Sequence, residues 1–257
     1  LKKQLRLIAD EPVSGSLNMG IDSAIVQSVA EGESMPVLRL YSWINPVVTV
    51  GYFQKVSDTV NTCYCRKNNI DVIRRITGGG TVLHNKEITY SFIAPVKNSF
   101  LPEDLISSFK AIIDPIIISL QKMRIDAVFK PVNDILVDNK KISGSAQTRK
   151  HGVLLQHGTI LTGIDKDIFE GALIFDFNKL NEKGVTEPLD LVTSVKNILG
   201  DKFNQDTACS LNKSIIDNFS KVLNMEIVEK NLSARERTAA YSYMNDIFEK
   251  NEWNMKR

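Results

Sequence analysis

Cysteine is scarce in this chain of 257 residues: Cys63, Cys65 and Cys209 are the only three. They form an odd set, and Cys63-x-Cys65 is too closely spaced for the usual zinc or dithiol motifs. They read as reduced thiols of a cytoplasmic protein. No apolar run approaches the roughly 18 residues that would suggest a transmembrane helix. The first residues, Leu1-Lys2-Lys3-Gln4-Leu5, lack the apolar core of a signal peptide. Neither sign of charge dominates, with 32 Lys and Arg against 30 Asp and Glu. The net charge of +2, without any long basic run, leaves no electrostatic footprint for nucleic acid. Repeats and low-complexity segments are missing too. What remains is an ordinary globular composition, 43% hydrophobic and 24% charged, read as one domain over 1–257.

Glycine is concentrated at one place. Arg74-Arg75-Ile76-Thr77-Gly78-Gly79-Gly80-Thr81-Val82-Leu83-His84 runs two guanidiniums into three consecutive glycines and then a β-branched strand. Glycine loses the most chain entropy on folding, so such a run is kept where backbone N–H groups approach a ligand or where positive φ is required. Consecutive N–H groups can form an anion nest, and Arg74 or Arg75 could add a fork of donors for phosphate or carboxylate. The plain alternative is a tight glycine turn with solvated arginines. Neither a Walker loop nor G-x-G-x-x-G is present.

Periodicity places the rest. Strands are expected over residues 4–9, 36–43, 47–51 and 71–76, with 82–84 and 88–94 forming a hairpin. A helix capped by Ser16 extends to about Glu31, and a short one covers 58–67. Leu105, Phe109, Ile112, Ile113, Ile116, Ile117 and Leu120 make one helical stripe over 102–124, with a kink or break near Asp114 because of Pro115. Strands follow at 134–137, 141–147 and 152–161. The remainder reads as mainly helical: 206–223, then a capping box at Ser233-Ala234-Arg235-Glu236 opening a helix to about Lys250. Strands in neighbouring groups favour an α+β fold with mixed, largely antiparallel sheets flanked by helices.

A second polar cluster lies within 130–161. Asp134 could hold magnesium, which prefers carboxylate and phosphate oxygens. Lys141 could act as a point charge for phosphate or a developing oxyanion. Ser143-Gly144-Ser145 would let a ligand near the backbone. Each also has a plain reading: Asp134 as a turn cap, Lys141 as a solvated hairpin residue, His157 as a hydrogen-bonded structural histidine.

The ordered motifs carry a resemblance. Asn18-Met19-Gly20-Ile21-Asp22, Gly51-Tyr52-Phe53-Gln54, the Arg74–His84 run, Tyr90-Ser91, Asn133-Asp134-Ile135, Lys141-Ile142-Ser143-Gly144-Ser145-Ala146 and His157-Gly158-Thr159 resemble, in order, motifs of the lipoate–protein ligase and octanoyltransferase family. That family shares its catalytic fold with biotin–protein ligases. The resemblance implies a biotin/lipoate ligase-like catalytic domain. It implies Lys141 as the catalytic residue at the acyl carbonyl. Arg74, Gly78, Gly79, Gly80, Val82, His84, Asn133, Ser143, Gly144, His157, Gly158 and Thr159 would bind substrate or adenylate, and Asp134 would bind Mg²⁺.

Two branches of the family differ in acyl donor. Ligases make an acyl adenylate from ATP; octanoyltransferases take the acyl group from a carrier protein or protein donor through a cysteine thioester. Ala127–Asp134 contains no cysteine, so the expectation is an ATP-dependent lipoate–protein ligase using ATP and Mg²⁺. It would modify a lysine of a lipoyl domain or a glycine-cleavage H-like protein. The chain stops where many ligases continue into an accessory domain, which implies a separate small accessory subunit. An ATP-independent octanoyl or lipoyl transferase is the alternative, and His84-Asn85-Lys86-Glu87 stands closer to that branch.

Overall fold

The computed structural model describes residues 2–97, 101–182 and 184–257. In chain order the elements are β1 (Lys3–Ala9), α1 (Gly15–Ala30), β2 (Val37–Tyr41), β3 (Val47–Val50), α2 (Thr62–Lys67), β4 (Asp71–Arg74), β5 (Val82–His84), β6 (Glu87–Pro95), α3 (Leu105–Lys122), β7 (Val128–Lys130), β8 (Asp134–Val137), β9 (Lys140–Lys150), β10 (Val153–Leu161), α4 (Lys166–Ala172), α5 (Phe177–Glu182), α6 (Val195–Leu199), α7 (Gln205–Val222), β11 (Met225–Glu229), α8 (Ala234–Tyr243) and α9 (Asn251–Asn254).

Eight strands form one sheet in the order β11-β1-β2-β6-β10-β9-β8-β7, and three form a second in the order β4-β3-β5. β1 runs parallel to β2 and β11, and β3 parallel to β4; the other pairs are antiparallel. This is the mixed α+β architecture expected. Alternation along β6 and β10 explains why both faces of the large sheet are covered. Tyr90, Phe92, Ala94 and Leu154 point to the side carrying the α3 stripe and Phe219 of α7. Ile93, Val153 and Leu155 point to the side where Ile21, Ala24 and Ile25 of α1 pack with Ala240 of α8. A third apolar cluster joins Val48 and Val50 of the small sheet to Cys65 of α2 and Ala172 of α4.

Several local expectations change. The first helix begins at Gly15, capped by the Ser14 hydroxyl accepting from Leu17 N–H at 3.3 Å, rather than by Ser16. α3 continues through Pro115 without a break. Proline removes one N–H, but the buried stripe on both sides holds the turns together, so packing outweighs the lost hydrogen bond. The expected hairpin of 82–84 with 88–94 does not form: β5 pairs with β3 in the small sheet and β6 with β2 and β10 in the large one. The strand β11 inside the supposedly helical region was missed; Ile227 and Val228 were its only β-branched signal.

Helix α1 reaches α8 because position 20 carries no side chain. A Cβ there would stand 2.4 Å from the Ala240 carbonyl oxygen. Backbone cannot yield as a side-chain tip does, so Gly20→Ala is expected to lower stability by about 1–3 kcal/mol, as overpacking does. A denaturant midpoint unchanged from the parent chain would refute this close approach.

Candidate active site

A cavity of about 310 Å³ opens between the two sheets, near the lower end of the roughly 300–1,000 Å³ common for small-molecule sites. Strands β3 and β5 supply Thr49, Val82, Leu83 and His84; β9 and β10 supply Lys141, Ser143–Ala146, His157–Thr159 and Leu161. Phe169 of α4 and Leu173, Phe175, Pro188, Leu191 and Val192 after it complete an apolar wall. The last of these segments is tied down by Thr193 N–H donating to Lys141 O at 2.9 Å.

The glycine run forms the cavity's rim, and Arg75 organises it. Its Nη2 donates to Gly78 O at 2.7 Å and Gly80 O at 2.6 Å, its Nε to Thr77 Oγ1 at 3.1 Å, and its Nη1 to Thr49 O at 3.2 Å. Gly79 takes a φ of +90°, which favours glycine. Gly51 is required by contact: a Cβ there would be 2.0 Å from Gly79 O. Gln54 Oε1 accepts from Gly51 N–H at 2.9 Å and from the Thr81 hydroxyl at 3.0 Å. The Gly51–Gln54 motif is thus a clamp on the glycine loop.

Arg74 does not join the site. It is fully buried and donates to the carbonyls of Gly51, Gln54, Trp253 and Asn254 at 2.8–3.2 Å. Successive strand side chains point oppositely, so only one of the two arginines can face the cavity, and it is Arg75. Gly78 and Gly79 also stand outside the cavity lining, whereas Gly80, Val82, His84, Asn133, Lys141, Ser143, Gly144, His157, Gly158 and Thr159 are in it.

Behind His157 lies a buried polar chain. Arg39, fully buried, donates to Asp22 Oδ1 at 2.9 Å, Asp10 Oδ2 at 2.6 Å and Asn18 Oδ1 at 2.6 Å. Asp22 Oδ2 accepts from the Ser91 hydroxyl at 2.7 Å and meets His157 Nδ1 at 3.3 Å. His157 Nε2 lies 2.7 Å from Thr77 Oγ1. Burial is the largest influence on His157 and pushes its pKa below 6.5 despite the pull of Asp22. Burial would raise Asp22, but His157 and Arg39 together hold it below 3.8. At neutral pH the network therefore assigns a neutral imidazole, with Nδ1–H donating to Asp22 and Nε2 accepting from Thr77. A parallel arrangement holds His84: Glu87 Oε1 bonds its Nδ1, Thr49 Oγ1 stands 2.8 Å from Nε2, and Trp43 stacks on the ring with centroids 4.0 Å apart. Asn18, Asp22, Gly51, Gln54, Thr77 and Ser91 were motif members in sequence, whereas Asp10, Arg39, Trp43 and Thr49 lay outside every motif.

Lys141 Nζ stands 2.7 Å from Asp134 Oδ1, as an ion pair without aligned hydrogen-bond geometry. At 40% and 29% side-chain exposure such a pair is worth at most about 1 kcal/mol, so stability does not explain it. Space does: a Cβ on Gly144 would lie 2.6 Å from Lys141 Nζ and 2.5 Å from its Cε. Ser143 Oγ is buried at the cavity with no hydrogen-bond partner, and buried polar groups are rarely left so. Asp134 does not suit a resident magnesium ion. It offers one carboxylate whose oxygen already faces an ammonium, and no Asp or Glu is among the cavity-lining residues. Among the described residues no three His, Cys, Asp or Glu side chains gather in a metal-binding group.

A family model for the lipoyl protein ligase A/B catalytic domain matches residues 14–219. The chain belongs to that family. It is 32% identical over 276 aligned positions to octanoyltransferase LipM of Clostridioides difficile strain 630, covering 99% of each chain. It is 27% identical to octanoyltransferase LipM of Bacillus subtilis strain 168, covering 100% of this chain and 99% of the other. Its fold also matches a chain from the bi-partite lipoate protein ligase and E2 lipoyl domain system of Thermoplasma acidophilum, with TM-score 0.82, 26% identity, and 99% and 96% coverage. The chain is thus an enzyme of the lipoate ligase and octanoyltransferase family.

The octanoyltransferase relatives overturn the expectation of an ATP-dependent lipoate–protein ligase. That expectation leaned on the absence of a cysteine from Ala127–Asp134, and the end-to-end relationship to octanoyltransferases outweighs that one segment. Lys141, the glycine rim and the apolar wall suit an acyl thioester as well as an acyl adenylate.

Two outcomes test this geometry. Gly144→Ala meets only the flexible end of Lys141, so the fold should hold while the ammonium is displaced. Activity should fall about tenfold or more with Tm unchanged; full activity would refute the spatial role of Gly144. The second concerns pH. Because the folded-state pKa of His157 lies below 6.5, the unfolded chain takes up the proton first as pH falls. Stability present above 6.5 is lost below it. His157→Gln should flatten the slope of unfolding free energy against pH between about 7 and 5. A slope identical to the parent's would refute a neutral buried His157.

Proposed function

We propose that this chain is an octanoyltransferase, moving an octanoyl group from a carrier-protein thioester to the lysine amine of a lipoyl-acceptor protein. The observation that carries this reading is the end-to-end relationship to octanoyltransferases, supported by a cavity that combines an apolar wall with one ammonium. The apolar residues of α4 and of 173–192 hold the acyl chain. Gly80, where a Cβ would meet nothing within 4 Å, leaves room for the thioester beside the backbone, and Gly144 leaves room for Lys141. Lys141 Nζ and the buried charge of Arg75 stabilise the oxygen as negative charge develops on it. Asn133, bonded through Nδ2 to Ser145 O, keeps β9 in place, and Asp134 orients Lys141. A thioester is already activated, so the reaction uses neither ATP nor magnesium, and an accessory ligase subunit has no part in it. The reduced thiols agree with a cytoplasmic setting.

The test is transfer to an unmodified lipoyl domain, followed by intact mass. An octanoyl carrier-protein thioester without ATP should add one octanoyl group, and free octanoate with ATP should add none. The reverse pattern would overturn the assignment. Lys141→Ala should lower kcat/KM by about 10²-fold or more, the scale of losing an oxyanion-stabilising group.

A further inference from the structure

Arg74 is left over from the cavity, and what it holds lies toward the outer surface. Its guanidinium donates to the carbonyls of Gly51 and Gln54 on one side and of Trp253 and Asn254 on the other. Its own carbonyl accepts from Trp253 Nε1–H at 2.7 Å, and its N–H donates to Asn254 Oδ1 at 3.0 Å. One buried cation pins the turn at 51–54 against α9. Arg257 O accepts from Val56 N–H at 3.1 Å and ties down the residues after that helix.

The surface held in this way is aromatic and cationic. Tyr52 meets Phe53 and Trp253 edge-on, with ring centroids 4.9 and 5.8 Å apart. Lys256 Nζ lies over both Tyr52 and Trp253, 3.9 and 3.6 Å from the centroids. Lys150, at the end of β9, stands 5.1 Å from the Tyr52 ring, and Arg257 stands 5.5 Å from Phe53. Phe53 itself is 69% exposed. Among the described residues, none of these three cations is ion-paired with a carboxylate. Partial burial lowers the Lys256 pKa, and the charges of Arg74 and Arg257 lower it further against the pull of Tyr52. Cations stacked on rings keep their charge available to a partner, and exposed aromatics beside arginine are what protein interfaces concentrate.

Unneutralised positive charge calls for an acidic partner, and position selects which one. Phe53 touches the glycine rim, 3.9 Å from where a Cβ on Gly78 would stand. Lys150 lies four residues along β9 beyond the cavity-lining Ala146, about 13 Å at the rise of a strand, and farther still from Lys141. A lysine side chain reaches only about 6 Å from its backbone, so an acceptor domain has to sit at the cavity mouth itself. A thioester on the long prosthetic arm of a carrier protein spans the gap.

We propose that this aromatic and cationic surface docks an acidic face of the carrier protein that bears the acyl donor, whose arm then passes the glycine rim into the cavity. The proposal rests on the octanoyltransferase reading above. The rings supply a rigid contact, Lys150, Lys256 and Arg257 steer the encounter, and Arg74 holds the surface in register with the rim.

The test uses the full chain and the triple variant Lys150→Glu, Lys256→Glu, Arg257→Glu, whose altered side chains are all exposed. With octanoyl carrier-protein as donor, kcat/KM for the donor should fall about tenfold or more. For octanoyl-pantetheine, the same thioester without the protein, and for the lipoyl-domain acceptor, kcat/KM should stay within about threefold of the parent's. Raising salt from about 50 to about 300 mM should bring the parent's value with the carrier protein down toward the variant's, because screening shortens the reach of exposed charge. An equal loss with octanoyl-pantetheine, a loss confined to the acceptor, or no loss would overturn the docking assignment while octanoyl transfer stands. If the parent transfers nothing from the octanoyl carrier, the function on which the proposal rests fails, and docking is read by Trp253 fluorescence as carrier protein is added. Binding that the triple variant abolishes upholds the surface; no binding overturns it as well.

Discussion

The site depends on one buried positive charge. Arg75 is 4% exposed, and a charge so placed is costly unless hydrogen bonds surround it. Its partners among the described residues are carbonyl and hydroxyl oxygens of Thr49, Thr77, Gly78 and Gly80, with no carboxylate. These dipoles fix the guanidinium without neutralising it. Burial pushes its pKa down to about 10, which still leaves it charged at neutral pH. The glycine rim is shaped by having to present two carbonyls to this group. The same charge then gives the cavity a fixed positive potential where surrounding water is scarce.

From Arg75 the constraint spreads in both directions. Through Thr77 it reaches His157, then Asp22, then Arg39, and so ties the small sheet, β10, α1 and β2 into one hydrogen-bonded chain. Each member is nearly or fully buried, and low dielectric makes a satisfied chain rigid and a broken one expensive. Through Gly79 it reaches Gly51, where only the absence of a Cβ allows the two loops to touch. Lys141 contrasts with all of this. It is part-exposed, held by one carboxylate, and given its room by Gly144. The fixed charge and the movable one occupy opposite walls, which suits a site that must grip an acyl carbonyl and still release product.

The architecture was legible because periodicity reports burial directly. The α3 stripe survived even a mid-helix proline. The ordered motifs located most of the cavity: β9, β10, His84 and, of the three consecutive glycines, Gly80 proved to line it. What sequence could not supply was pairing. Adjacent arginines point to opposite faces of a strand, and nothing in Arg74-Arg75 says which is which until β3 is seen beside β4. The supposed hairpin failed for a related reason: β5 and β6 are contiguous in the chain but belong to different sheets. Thr49 was invisible, since an isolated threonine in a strand has no motif to mark the imidazole it will meet, and Thr77, though inside the glycine motif, carried no sign of its contact with His157. The acyl donor was not legible either, because the groups that stabilise an oxyanion are the same whichever leaving group departs.

The wall of this cavity is rich in hydrogen-bonding groups and poor in nucleophiles, and the two facts belong together. A nucleophile needs an unengaged lone pair, a nearby base and an approach line. Hydroxyls braced between Arg75 and an imidazole have given up those freedoms in exchange for holding charge and rim in place. A thioester needs little activation by the protein, since its leaving thiolate is stable and its carbonyl is less resonance-stabilised than an amide's. Position and field are what the groups named here supply. The part-exposed Lys141 at the edge of the cavity is as much a part of that field as the buried charge of Arg75.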